Sequence, residues 1–125
     1  MKLQLVGINH KTSSVSQREK FIINETNQVA LNRYLKDTFG ERFSSSFGLS
    51  TCNRTELYLY SDIEDHIEIL NSVKGFLGCD EIDNEYFYSF EGEDALIHIA
   101  RVASGIDSQV LGEQEIFGQF KMSIS

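Results

Sequence analysis

A six-residue polar break, Thr51-Cys52-Asn53-Arg54-Thr55-Glu56, divides two strand-like runs and forces the middle of the chain into a hairpin. The run before it is Ser45-Ser46-Phe47-Gly48-Leu49-Ser50, and the run after it is Leu57-Tyr58-Leu59-Tyr60. A short polar break between two such runs reads as a hairpin connection, with Asn53 a natural turn residue. The break also carries a cysteine. Free cysteine usually behaves as a small buried hydrophobe, yet Cys52 sits at a polar turn two residues from an arginine. A nearby cation favours thiolate over thiol, and the thiolate is the nucleophile. Cys52 is therefore a candidate nucleophile. The plainer alternative is a half-buried cysteine closing a strand, with Arg54 an ordinary surface charge.

Around this hairpin the remaining elements fall into order. Lys2 to Asn9 reads as a strand, followed by the polar loop Asn9-His10-Lys11-Thr12-Ser13-Ser14. His10 is a candidate only because loops carry function. Ser16-Gln17-Arg18-Glu19 has capping-box spacing for a short helix. Asn24 can cap a longer one, in which Leu31, Tyr34, Leu35 and Phe39 recur at helical spacing and Gly40 fits the end. After the hairpin, Asp62 can cap a helix with an apolar stripe of Ile63, Ile67, Leu70, Ile69, Val73 and Phe76, ended by Gly75 and Gly78. Tyr86 to Phe90 reads as a fourth strand. The order β-α-β-β-α-β predicts an α+β, ferredoxin-like split βαβ fold, an antiparallel sheet with helices on one face. C-terminal helices follow: one from about Gly92 to Ser104 with His98 beside its apolar stripe, and one from Glu113 to Ile124.

Length and composition suit a single domain with a core: 125 residues, 41% hydrophobic. No run is long or apolar enough to span a bilayer, and Met1–Leu5 lacks a signal-peptide core, so a cytoplasmic domain without membrane contact is expected. Cys52 and Cys79 lie far apart without a C-x-x-C pair. They form no ligand set with His10, His66 and His98, so neither a disulfide framework nor a metal site is expected. Cys79 and His66 read as structural or solvated. Glycine-rich dinucleotide and phosphate loops are missing. The net charge of −8 opposes broad phosphate binding. It is uneven: residues 1–60 hold eight Lys/Arg against five Asp/Glu, and residues 61–125 hold three against fourteen. The half with Cys52 is the less hostile to a polyanion.

Several stretches then converge: Gly7-Ile8-Asn9-His10-Lys11-Thr12, Arg18-Glu19, Ser50 to Glu56, Ala103 to Ser108, Val110-Leu111-Gly112-Glu113 and Gly118-Gln119. In this order and spacing they resemble glutamyl-tRNA reductase, whose N-terminal catalytic domain the match covers over residues 1–125. The family reduces glutamyl-tRNA to glutamate-1-semialdehyde with NADPH, the first step of the five-carbon route to tetrapyrroles. The resemblance implies that NADPH and the homodimer contacts belong to domains absent from this chain. It implies a glutamyl thioester on Cys52, and a catalytic role for His98 in polarising the carbonyl or protonating the leaving group. It also implies a substrate-binding set of Thr51, Asn53, Arg54, Ser108, Glu113, Gln114, Glu115 and Gln119. Arg54 would pair with the glutamyl side-chain carboxylate, and Glu113 would meet the α-ammonium. Where the family usually reads Gly-Glu-Pro-Gln, this chain has Gly112-Glu113-Gln114-Glu115, which adds a charge near the pocket. Two other readings remain. One is a cysteine-dependent acyl hydrolase or thioesterase using Cys52 and His98. The other is a non-catalytic ferredoxin-like binding module with a structural Cys52.

Overall fold

The structure, a computed structural model, describes residues 1–103. Four strands, β1 (Lys2–Asn9), β2 (Phe43–Ser50), β3 (Arg54–Ser61) and β4 (Tyr88–Glu91), form one sheet in the order β2-β3-β1-β4. Every neighbouring pair is antiparallel. Helices α1 (Val15–Lys20), α2 (Glu25–Phe39), α3 (His66–Leu77) and α4 (Glu93–Ala103) complete the described part. This is the α+β, split-βαβ architecture that the element order predicts.

The alternation of side chains along each strand divides the core in two. On one face Val6, Ile8, Leu57 and Leu59 pack against Leu31, Leu35 and Phe39 of α2 and Ile69, Leu70 and Val73 of α3. On the other, Leu3, Leu5, Leu49 and Tyr58 pack against Ala95, Ile99 and Val102 of α4. The two crossover helices thus share one face, and α4 covers the opposite one. Phe43 joins the α2 side because the β2–β3 register shifts between Phe43 and Ser45. A bulge of this kind changes which face a residue serves.

Several boundaries differ from expectation. The capping box of α1 is Ser14 with Gln17, not Ser16 with Glu19. Ser14 is the residue whose oxygen reaches the Gln17 amide. Strand β2 begins at Phe43, two residues early. Asp65, not Asp62, caps α3, because the chain stays pinned to the sheet until Ile63. Buried Gln4 donates to the Ile63 carbonyl at 2.5 Å and accepts from the Ser61 hydroxyl. Gly75 lies within α3, and Gly78 ends it in the left-handed conformation (φ 73°). Tyr86 belongs to a 3-10 turn, Asn84–Tyr86, which leaves β4 to start at Tyr88. Strand β3 takes in Arg54, Thr55 and Glu56, so the polar break shrinks to Thr51–Asn53. The connector over 106–111 and the helix expected from Glu113 lie outside the described residues.

Candidate functional site

The turn between β2 and β3 is held from several sides. The Thr51 amide donates to the Arg54 carbonyl at 2.7 Å and closes the hairpin. The Asn53 amide donates to the Thr51 hydroxyl at 3.2 Å, and the Asn53 carbonyl accepts from the His10 amide at 2.8 Å. The β1–α1 loop is itself folded on Asn9, whose Oδ1 accepts from the amides of Lys11 and Thr12. Two polar loops are therefore fixed side by side at one end of the sheet. His10 contributes its backbone to this arrangement, and its side chain is exposed. At the tip of the turn Cys52 is exposed, whereas Cys79 is buried. Burial, followed by the nearby Glu81 charge, pushes the Cys79 thiol up to about 11. The two cysteines are thus chemically distinct, one an inert core residue and one an accessible thiol.

Cys52 stands on the rim of an open cleft of about 370 Å³. Its walls are Val15, Arg18, Glu19 and Ile22 from the α1 region, facing Ser50, Thr51 and Thr55 from the hairpin. The cleft exists because the chain after α1 lies directly on β2. A Cβ on Gly48 would stand 2.2 Å from Ile23 Cγ2, so only glycine permits that approach. The Ile23 amide is then secured by the Ser50 hydroxyl at 3.0 Å.

On the opposite face of the sheet, Arg54, Glu56 and Tyr58 point the same way at alternate positions of β3. Arg54 and Glu56 are both fully buried. The plain reading of Arg54 as a surface charge therefore fails. Its Nη1 lies 3.4 Å from Glu56 Oε2. Glu56 is the centre of the cluster. Its Oε1 accepts from the Tyr58 hydroxyl at 2.5 Å, and its Oε2 accepts from the Tyr88 hydroxyl. His98 Nε2, from α4, lies 2.5 Å from the same Oε2. Burial alone would push the Glu56 carboxyl up. The hydrogen bond and charge of His98, with the bonds from Tyr58 and Tyr88, overcome it and hold the carboxyl below its ordinary value. Both tyrosines are pushed well above their usual range, first by burial and then by the Glu56 charge. An ionised carboxylate only accepts hydrogen bonds. His98 Nε2 therefore carries a hydrogen and donates it to Glu56. The His98 ring is stacked on Phe90 with centroids 5.1 Å apart.

The structure thus brings Thr51, Cys52 and Asn53 together at the turn, and Arg54 and His98 together around Glu56. Cys52 makes no hydrogen bond to His98 among the described residues. Ser108, Glu113, Gln114, Glu115 and Gln119 lie outside those residues. Glu56, Tyr58 and Tyr88 were not singled out from the sequence. The signal was the spacing Arg54-x-Glu56-x-Tyr58, which puts two charges and a phenol on one face of a strand whose other face is Thr55, Leu57 and Leu59. Among the described residues, no group of three or more His, Cys, Asp and Glu side chains is placed to hold a metal ion, and no helix is long and apolar enough to cross a membrane.

The site thus combines an exposed cysteine on a fixed hairpin turn beside a cleft with a buried cluster of Arg54, Glu56, Tyr58, Tyr88 and His98, within an α+β domain. Residues 6–125 match the glutamyl-tRNAGlu reductase N-terminal domain. The chain belongs to that family. It is 42% identical to the glutamyl-tRNA reductase of Akkermansia muciniphila over 97% of its length and 36% of that protein's. It is 37% identical to the glutamyl-tRNA reductase of Histophilus somni, covering 98% of this chain and 30% of the relative. In structure it is similar to glutamyl-tRNA reductase from Methanopyrus kandleri, with a TM-score of 0.64 and 34% identity over 98% of this chain and 27% of that one. The chain thus spans about a third of the length of the curated relatives it matches.

Proposed function

We propose that this chain is the acyl-transfer part of a glutamyl-tRNA reductase, taking glutamate from its tRNA onto Cys52. The observation that carries the reading is the exposed Cys52 thiol on the turn that leads directly into Arg54 and Glu56. The Cys52 thiolate attacks the ester carbonyl of glutamyl-tRNA, the carbonyl–oxygen bond to the terminal ribose breaks, and the ribose oxygen takes a proton. The product is a glutamyl thioester, so one difficult step is split into two easier ones. His98, oriented through Nε2 by Glu56, is the group proposed to supply that proton. Arg54 is proposed to receive the glutamyl side-chain carboxylate, since its planar fork matches carboxylates. Thr51 and Asn53 are proposed to shape the turn around the reacting carbon, and Ser108, Glu113, Gln114, Glu115 and Gln119 to complete the pocket.

Among the described residues, no glycine-rich loop joins a strand to a following helix. The chemistry carried by these side chains stops at the thioester. Reduction to glutamate-1-semialdehyde by NADPH, the first step of tetrapyrrole synthesis, is assigned to another domain, as are the contacts of a homodimer. A cytoplasmic setting goes with this role.

Incubation with glutamyl-tRNA carrying labelled glutamate, acid quench and intact-mass measurement test the reading. A glutamyl adduct on the wild type and none on Cys52→Ser is the expected result. Transfer from unrelated acyl esters at an equal rate would favour a general cysteine acyl hydrolase. An unreactive Cys52 would favour a binding module.

A further inference from the structure

An ester held across Cys52 has two halves, the acyl group and the alcohol that leaves. Arg54, Glu56 and His98 lie on the α4 face of the sheet. The cleft lies on the opposite face, where Ser50 and Thr55 meet α1. Cys52 lines the rim of the cleft while being only two residues from Arg54. An acyl group directed toward Arg54 leaves the cleft for the alcohol.

We propose that the cleft between α1 and the β2–β3 turn binds the 3′-terminal nucleoside of the tRNA. This rests on the thioester reading of Cys52. Three features of the lining fit a nucleoside better than a glutamyl group. Val15 and Ile22 are apolar side chains left 61% and 39% exposed, which offers flat contact to a base. Arg18 is anchored by Nη1 to the Ser13 carbonyl at 2.9 Å, and its Nε is buried with no hydrogen-bond partner among the described residues. An anchored guanidinium plane is a surface on which unpaired RNA bases stack. Glu19 would repel the carboxylate of a glutamyl side chain, but its oxygens accept from hydroxyls. The terminal ribose of a charged tRNA keeps one free hydroxyl beside the ester. The floor does not compete for polar recognition, because the Ser50 hydroxyl already serves the Ile23 amide and the Thr55 hydroxyl. The volume of about 370 Å³ lies within the usual span of small-ligand sites.

The test uses two probes on the full chain. The first is binding of the free trinucleotide CCA to the wild type, Val15→Asp and Arg18→Gln. Val15 is exposed in the first turn of α1, where an acidic residue suits the helix, so Val15→Asp keeps the fold. The expected result is wild-type binding that weakens by about tenfold in both variants, the scale of one lost base stack. The second is acyl transfer to Cys52 from glutamyl-tRNA and from glutamate α-ethyl ester, which lacks the nucleoside. The variants are expected to lose about tenfold more with the tRNA than with the small ester. Absence of CCA binding, or binding indifferent to both substitutions, overturns the proposal. Equal losses with both esters also overturn it, since they would place the glutamyl group in the cleft. Absence of any adduct from either ester on the wild type sinks the thioester reading, whereas CCA binding decides the cleft by itself.

Discussion

Tyr88 reaches Glu56 across an intervening strand, and Gly7 is what lets it. Tyr88 and Glu56 are both paired with Gly7, one from β4 and one from β3. Their backbones therefore stand about 10 Å apart, two strand spacings. The Tyr88 hydroxyl nevertheless donates to Glu56 Oε2, because the space above β1 between them holds no side chain. A Cβ on Gly7 would lie 2.8 Å from Glu56 Cγ and 3.0 Å from the Thr55 carbonyl oxygen. Gly7→Ala is expected to destabilise the fold by about 1–3 kcal/mol, the usual cost of overpacking. It should also displace Glu56 from His98. Thermal denaturation checks the first effect. The rate of adduct formation on Cys52 checks the second.

Glu56 should leave a signature in the pH dependence of stability. Its folded carboxyl is held below the ordinary value, so the unfolded chain binds the proton more readily. The resulting stability is whole above the unfolded value of about 4.3 and fades as pH falls below it toward the folded value. Glu56→Gln should flatten that acid limb. The tyrosines act in the opposite range. Tyr58 and Tyr88 are raised in the folded state, so their contribution is whole below about pH 10 and lost as pH rises beyond it. Tyr88→Phe should weaken the alkaline dependence. Thermal melts from acid to alkaline pH measure both limbs. An acid limb unaltered in Glu56→Gln would show that other carboxylates dominate it.

The fold was legible where periodicity was unbroken. Leu31, Leu35 and Phe39 of α2, and Leu57 and Leu59 of β3, are buried on one face as their spacing demands. Boundaries went astray where a tertiary bond overrode a local signal. Asp62 looks like a helix cap, but the Gln4–Ser61–Ile63 network holds the chain to the sheet for three further residues. Tyr86 and Phe87 look like strand, but the Asp83 carboxylate accepts from the Glu85 amide and sets a 3-10 turn first. At the site, Cys52 and Arg54 were readable because their types are unusual for a turn. Glu56 was not, since a glutamate beside a turn normally faces water. Its burial depends on Gly7, Tyr88 and His98, which are far from it in sequence.

Lys74 tests the core beneath the crossover helices. It is only 5% exposed, and its ammonium donates to the Ile82 carbonyl at 2.7 Å while lying 5.8 Å from the centre of the Phe87 ring. It ties α3 to the segment that leads into β4. Lys74→Met keeps the length of the side chain and removes the donor. The buried Ile82 carbonyl then loses its partner, at a cost of about 1–3 kcal/mol. Thermal or urea denaturation should show this loss. Labelling of Cys52 by iodoacetamide in the native protein should be unaltered, because Cys52 is already exposed on the β2–β3 turn.

The two cysteines should separate cleanly in their reactivity. Cys79 is buried, with its thiol pushed up to about 11, so near pH 8 it is both protonated and inaccessible. Cys52 is exposed on the turn. Alkylation needs an accessible thiolate. Iodoacetamide at pH 8 should therefore add one group to the native wild-type chain and none to Cys52→Ser. In denaturant the counts should rise to two and one. Peptide mapping by mass spectrometry identifies the labelled site. Native labelling of Cys79 would mean that the segment from α3 to β4 opens on the time scale of the reaction, and that the contact of Lys74 with Ile82 does not hold it closed. Native protection of Cys52 would mean that the turn is covered, and the proposed attack on a tRNA ester from that turn would fail with it.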